Sequence, residues 1–507
     1  MNASSALRVE QPSPRADGQP AAAAKPYRID LFRTFPAIKW LAQRRWFQFA
    51  VIFPNLLFFY LLLMAGIFGT PVGNRNIIIV FVWILWWFIL ISVLVPFASR
   101  IWCTACPFPF FGEWLQRRAL IGVRSVDPRK QKKDGAGVVV GRNRYFGKNL
   151  KWPKALSNIW IQNIGFLALC TFSALFLTRP IVSVIVLGSL FVIATVLHAI
   201  YRQRAFCAYV CPVSGFLSLF SMASMMEVRS RETDVCDKCT DKGCLAGNDK
   251  GWGCPWLLYP SKMDRNNYCG LCMECVKTCP HDNMTVNLRP FCSDTKLKGY
   301  DEAWKAFIML ALAIAYSVIY QGPWGRFKDW ANVAETRNWI GFAIYAASLW
   351  TLSLVVIPGI FILAVQLGRK LAGASSAGSA APVPPFKDVF LAFVYPLVPL
   401  GLLAWVTFSL PLVLVNCSYI LMVISDPFGW GWDLFRTSNL SWTPLVPHWA
   451  PYIQVPLLWT ALYFAITKGY AHARRLFGSH WSAVRAFAPV SVVLTGCVIF
   501  FLWLYVS

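Results

Sequence analysis

Apolar runs of about 20 residues recur along this chain, and they restrict its fold more than any other feature. An apolar helix of about 20 residues crosses the roughly 30 Å hydrocarbon core of a bilayer. Irregular backbone cannot, because lipid offers no hydrogen-bond partners. The runs cover 47–69, 77–97, 159–177, 181–201, 304–320, 339–363, 389–424, 452–467 and 486–506, which predicts about nine spans. The run 389–424 is too long for one straight crossing and holds Pro396, Pro399 and Pro411, so a kink or break is expected. Charged residues are only 14% of the 507, against about 25% in soluble domains.

Lys and Arg set the expected orientation. They crowd the segment before the first span (Lys25, Arg28, Arg33, Lys39, Arg44, Arg45) and the loop 98–156, which places both in the cytoplasm of a prokaryotic inner (plasma) membrane. Alternation then puts 202–302, 364–388 and 468–485 on the same side. The net charge of +25 has two compatible readings: the ordinary basic bias of cytoplasmic loops, and a docking surface for an acidic soluble partner. The basic residues lie in short loops rather than a reader domain, which argues against nucleic acid. No cleavable signal peptide is evident. Residues 1–26 are polar and Ala/Pro-rich, and a disordered basic N-terminus is expected over 1–45.

Eight of the 16 cysteines fall between Cys236 and Cys279. The run Cys269, Cys272, Cys275, Cys279, Pro280 has the spacing C-x2-C-x2-C-x3-C-P. Three close thiolates wrap one [4Fe–4S] cluster, and the fourth Cys ligates the neighbouring cluster in two-cluster ferredoxins. Gly270 suits a tight backbone approach. Zinc sites instead use paired C-x2-C groups. The partner motif, Cys236, Cys239, Cys244 and Cys254-Pro255, is looser, and 245–253 would form a loop. The exchange rule then predicts one cluster on Cys236, Cys239, Cys244 and Cys279, and another on Cys269, Cys272, Cys275 and Cys254. The alternative is one cluster with a zinc site or free thiols. Cys292 reads as a spare.

Two further pairs follow spans. Arg100-Ile-Trp-Cys103-Thr-Ala-Cys106-Pro107 and Arg204-Ala-Phe-Cys207-Ala-Tyr-Val-Cys211-Pro212 echo each other, with Gly112 and Gly215 nearby. Four thiolates there can hold a third iron–sulfur centre, favoured by Arg100 and Arg204. A redox dithiol or transient metal site and plain packing are the alternatives. His198 and His472 are the best-placed axial pair for haem, but with five His in all haem is disfavoured. Cys170, Cys417 and Cys497 read as helix packing, and Asp264, Arg265 and Lys262 as solvated loop charges.

These motifs in their membrane setting resemble the membrane-bound [4Fe–4S] polyferredoxin family. That family includes the ferredoxin-type quinol dehydrogenase subunit of periplasmic nitrate reduction and the membrane part of the nitrous oxide reductase regulator. Cytochrome oxidase accessory iron–sulfur proteins also belong. The resemblance covers roughly 45–295 and rests on the two Cys-Pro motifs and the two ferredoxin motifs. The family pattern is C-x3-C-P; Cys207–Cys211 matches it and Cys103–Cys106 is one residue short. No large flavin-binding domain precedes the first span, and the C-terminus is helical rather than a β-rich tail. The layout is similar to membrane iron–sulfur proteins that link soluble redox enzymes to quinone.

The resemblance implies electron transfer between quinol, clusters and a partner. The fold expected is an all-α polytopic membrane protein with an inserted α+β two-cluster ferredoxin domain. Its parts are a four-helix membrane module (46–206), the cytoplasmic ferredoxin domain (207–297), two membrane helices (298–370), a small-residue and Pro linker (371–387) and a C-terminal membrane module (388–507). The expected role is an electron carrier or quinone oxidoreductase component, relaying electrons between a soluble cytoplasmic partner, such as an acidic ferredoxin, and quinone. An assembly or regulatory factor for another metalloenzyme and a scaffold subunit among other membrane subunits are the alternatives.

Overall fold

The computed structural model describes residues 27–119, 122, 126–133, 137–294, 297–374, 384–445 and 447–506. The expected disordered leader over 1–26 and most of the expected linker (375–383) lie outside these residues.

Seven helices are long and apolar enough to cross a membrane: Arg45–Phe68, Ile77–Ala98, Pro180–Ile200, Tyr300–Tyr320, Trp339–Gly373, Phe386–Ser425 and His480–Val506. Two of the nine expected spans fall short of that measure. The run 159–177 divides at Phe172 into Trp160–Thr171 and Ser173–Thr178, neither long enough to cross. The run 452–467 lies in a 28-residue helix, Ala450–Phe477, which has the length but is diluted by Gln454, Pro456, Thr460 and Thr467. The long run 389–424 is interrupted at Tyr395-Pro396, between helices Phe386–Val394 and Leu397–Ser425. Pro411 is absorbed inside the second helix.

Phe386–Ser425 is the axis of the bundle. A helix apolar on every side is stable only when surrounded, and the most apolar stretch of this one is wholly buried. Trp405 at its middle donates through Nε1 to the Met309 carbonyl at 2.8 Å and meets Trp87 edge-on at 5.7 Å. The helices 77–98, 300–320, 450–477 and 480–506 pack around it or around its neighbours.

Outside the bundle, strand Met226–Ser230 pairs antiparallel with Met284–Leu288, Val228 opposite Val286. The Cys236–Cys279 segment is strung between these two strands. A third strand, Ile29–Asp30, joins the free edge of Met284–Leu288, so the expectation of a disordered 1–45 is corrected over 27–45. Asp30 caps helix Leu31–Thr34, accepting from the N–H groups of Phe32 and Arg33, and pairs with Arg231 at 2.8 Å. Phe32 is buried in one apolar cluster with Val228, Leu271, Val276, Met284 and Val286. A basic segment thus orders because the sheet supplies both an apolar seat and counter-charges.

Candidate iron–sulfur centres and the membrane cavity beside them

The local backbone is shaped around sulfur. In each Cys-Pro-x step Pro carries no N–H, and the N–H of residue x turns back onto the thiol. Phe108 does so to Cys106, Val213 to Cys211, Trp256 to Cys254 and His281 to Cys279. Between the closely spaced cysteines, Leu271 and Met273 take left-handed φ of 51° and 60°, an uncommon conformation for side-chain-bearing residues. Gly270 has a steric reason: a Cβ there would stand 2.6 Å from Trp256 Nε1.

The fold sorts the cysteines into three sets. Cys244 is acted on by the charges of Cys279, Cys236 and Cys239. Cys275 is acted on most by Cys269, Cys272 and Cys254, with Cys244 next. Cys279 therefore sits with the looser motif, and Cys254 with the compact one. The third set is Cys103, Cys106, Cys207 and Cys211, each within electrostatic reach of the others. Among the described residues, no three or more His, Cys, Asp or Glu stand close enough to hold one metal ion. Four thiols to a set is the ligand number of a [4Fe–4S] cluster on Cys thiolates.

Orphaned donors fit the same chemistry. Arg100 Nε and Trp256 Nε1 are buried with no acceptor among the described residues, although buried donors are normally satisfied. The Arg100 guanidinium lies 4.4 Å over the Trp256 ring, and its Nη2 is 3.7 Å from Cys103 Sγ. Burial raises the thiols, Cys211 to about 11 and both Cys244 and Cys272 to about 12, with mutual repulsion between cysteines adding to it. Metal binding at such sites must displace protons.

The membrane set is braced by reciprocal arginines. Arg100, before Cys103, donates to Ser214 Oγ beyond Cys211 at 2.5 Å and to the Asn267 carbonyl at 2.7 Å. Arg204, before Cys207, donates back to the Cys103 carbonyl and forms a two-point pair with Glu113. Burial alone pushes the Glu113 carboxyl up, but Arg117 and Arg204 outweigh it and hold it at about 2. The membrane set also shares a wall with the compact set: Thr104 Oγ1 donates to the Gly270 carbonyl at 2.6 Å, and Cys269 is acted on by Cys103.

Cys103, Cys106, Cys207 and Cys211 line a cavity of ≈ 410 Å³ among the spans. Trp86, Trp102, Phe166, Tyr316, Trp405 and Phe408 are part of its wall, and few polar atoms reach it. Cys170 lines it too, with its carbonyl accepting from Tyr316 Oη at 2.8 Å. The loop 245–253 docks on the basic loop 98–156, where Asn143 donates to the Gly251 carbonyl at 2.9 Å and Tyr145 to that of Trp252 at 2.9 Å. Cys292 is buried in the main core. His198 hydrogen-bonds the Ala194 carbonyl of its own helix, and His472 meets Tyr395 edge-on.

Arg265 is a correction. It is not a solvated loop charge but bonds Glu302 at 2.6 and 2.8 Å, and Glu302 also accepts from Asn267 and Tyr268. Asp264 does pair with Lys298 in solvent. No motif marks Glu302 or the fully buried Lys305. The available signal is charge inside an apolar run, which is costly and thus informative in a membrane helix.

Comparison with known proteins gives two findings. A family described as "4Fe-4S binding domain" matches residues 79–125 and 184–224. These segments carry Cys103, Cys106, Cys207 and Cys211, and the Cys236–Cys279 motifs lie outside them. The "Putative electron transport protein YccM" of Escherichia coli (strain K12) is 27% identical over 150 residues, 28% of this chain. The chain covers 36% of that protein's length. No solved structure matches. The matched segments are thus similar to a 4Fe-4S binding domain, in a chain whose described residues include seven helices long and apolar enough to cross a membrane.

Proposed function

We propose that this protein relays electrons between a soluble cytoplasmic redox partner and the membrane quinone pool. In this reading one [4Fe–4S] cluster is held by Cys236, Cys239, Cys244 and Cys279, and a second by Cys254, Cys269, Cys272 and Cys275. A third centre is held by Cys103, Cys106, Cys207 and Cys211. Bound there, iron–sulfur clusters supply one-electron transfer. The observation that carries the proposal is the continuity of the three sets. Cys275 is acted on by Cys244 of the first set, Thr104 ties the second to the third, and the third lines the apolar cavity.

The protein's residues divide the work. Backbone N–H groups aimed at sulfur stabilise thiolates. Arg100 and Trp256 fill the wall between the second and third sets and exclude water from it. The cavity's aromatic lining offers a flat apolar molecule such as a quinone head group a dry seat. The N-terminus and the cysteine segment are cytoplasmic in this reading. Its support is the basic bias of the loop 98–156 and the docking of that loop against the Cys-rich segment.

The test is anaerobic purification with iron and sulfide counts and EPR on stepwise reduction. About twelve irons per chain are expected for three centres and about eight for two. Reoxidation of the reduced protein by a quinone analogue is expected as well. Absence of iron overturns the proposal, and clusters that stay reduced with quinone but discharge to copper or a disulfide overturn its acceptor.

A further inference from the structure

Lys305 lies one turn into the helix Tyr300–Tyr320 and is 0% exposed. An ammonium taken wholly out of water needs an opposite charge and good hydrogen bonds. It has neither: Nζ reaches the Gln162 carbonyl at 3.4 Å and stands 4.6 Å from the Phe166 ring centroid. Among the described residues no carboxylate forms an ion pair with it. The acids beside it on the helix are turned elsewhere: Asp301 accepts from the Ile159 N–H at 3.0 Å, and Glu302 is taken by Arg265.

Two cysteines, Cys170 and Cys211, lie within electrostatic reach of Lys305. The backbone beside Cys211 makes room for it. A Cβ on Gly215 would come within 3.0 Å of Lys305 Cε, so the missing side chain opens a lane for the lysine. Arg100, on the same set of cysteines, is likewise buried without a carboxylate, whereas Arg204 has Glu113. Around the four membrane cysteines stand three buried basic side chains and one carboxylate.

We infer that Lys305 is a built-in counter-cation for an anionic centre at Cys103, Cys106, Cys207 and Cys211, and that it raises that centre's reduction potential. The inference rests on the proposal that this set holds an iron–sulfur centre. A cluster on four thiolates is negatively charged and gains one more negative charge on reduction, so an ammonium drawn to it in a dry site favours the reduced form.

The experiment is an EPR-monitored potentiometric titration of the full-length protein, wild type against Lys305→Met, Lys305→Arg and Cys211→Ser. Cys211→Ser identifies which signal belongs to the membrane set. In Lys305→Met that signal's reduction constant is expected to fall about tenfold to hundredfold, about 60–120 mV at 59 mV per tenfold. The other signals stay in place, and Lys305→Arg stays near wild type. Met keeps the length without the buried charge, so folding is not threatened.

If wild type holds iron for only two clusters and Cys211→Ser removes no signal, the third-centre proposal falls and takes the inference with it. If the third signal is present and Lys305→Met leaves its potential unmoved, the inference alone falls. Loss of the signal in both the Met and the Arg variant means a packing role and also overturns it. Loss in Met with retention in Arg supports it.

Discussion

Replacing Glu113 by Gln removes one charge and almost no volume from the brace of the membrane cysteines. Glu113 and Arg204 are paired and buried, their side chains 8% and 0% exposed. Arg204 is left with a full charge and no carboxylate, the situation that costs about 3–5 kcal/mol when one member of a buried pair is removed. The carboxyl gives a matching figure. It is held at about 2 against an ordinary 4.5, and at about 1.4 kcal/mol per tenfold this is about 3 kcal/mol. Local opening of 100–117 and 202–213 is therefore expected to rise about 150-fold, read by hydrogen–deuterium exchange on the detergent-solubilised full chain. The sign of the pH effect follows from the depressed value. The stabilisation is complete above 4.5 and is lost as pH falls towards 2, and the Gln variant has no such window. Exchange within threefold of wild type in both segments would refute the pairing as the brace.

Other substitutions probe the remaining sets. Cys279→Ser is expected to abolish the cluster on Cys236, Cys239 and Cys244 while sparing the compact one, with a loss of about four irons per chain; loss of the compact set's signal first would reverse the exchange. Gly270→Ala drives a methyl to 2.6 Å from Trp256 Nε1, so iron in the compact set should drop, and adding Trp256→Phe should restore part of it. A quinone analogue is expected to quench fluorescence from the cavity's tryptophans. Leu190→Trp, which narrows that cavity, should weaken the titrated binding at least about tenfold; unchanged binding would place the analogue elsewhere.

Features that repeat locally could be read from sequence. Apolar runs mark spans because lipid demands continuous helix, and seven of the nine expected runs correspond to helices long and apolar enough to cross. Cysteine spacing points to metal chemistry because cluster ligands lie close in sequence, and the 4Fe-4S match covers the Cys103–Cys106 and Cys207–Cys211 pairs; the break at Pro396 follows from proline's missing N–H. The rest depends on distant partners. The division at Phe172 has no Pro or Gly to announce it. Ile29 is a strand because Leu288 lies opposite. Arg265 looks like a loop charge until Glu302 arrives beside it from another element. Lys305 means little until Gln162, Phe166 and Cys211 surround it.

The buried axis formed by Phe386–Ser425 has a consequence for how the molecule is made. The ribosome delivers the cysteine-bearing part before this helix, yet the helix belongs in the middle of the finished bundle, with Trp405 hydrogen-bonded to Met309 and packed on Trp87. Until it is synthesised, its groove stands open to lipid, and Trp405, Phe408, Leu412 and Asn416 are missing from the cavity wall. The early helices therefore lack these contacts until the late helix arrives. Insertion of the late helix, rather than completion of the cysteine motifs, closes the chamber beside the membrane cysteines. A chain stopped at the small-residue linker would carry all twelve cysteines of the three sets with the chamber beside the membrane set unsealed.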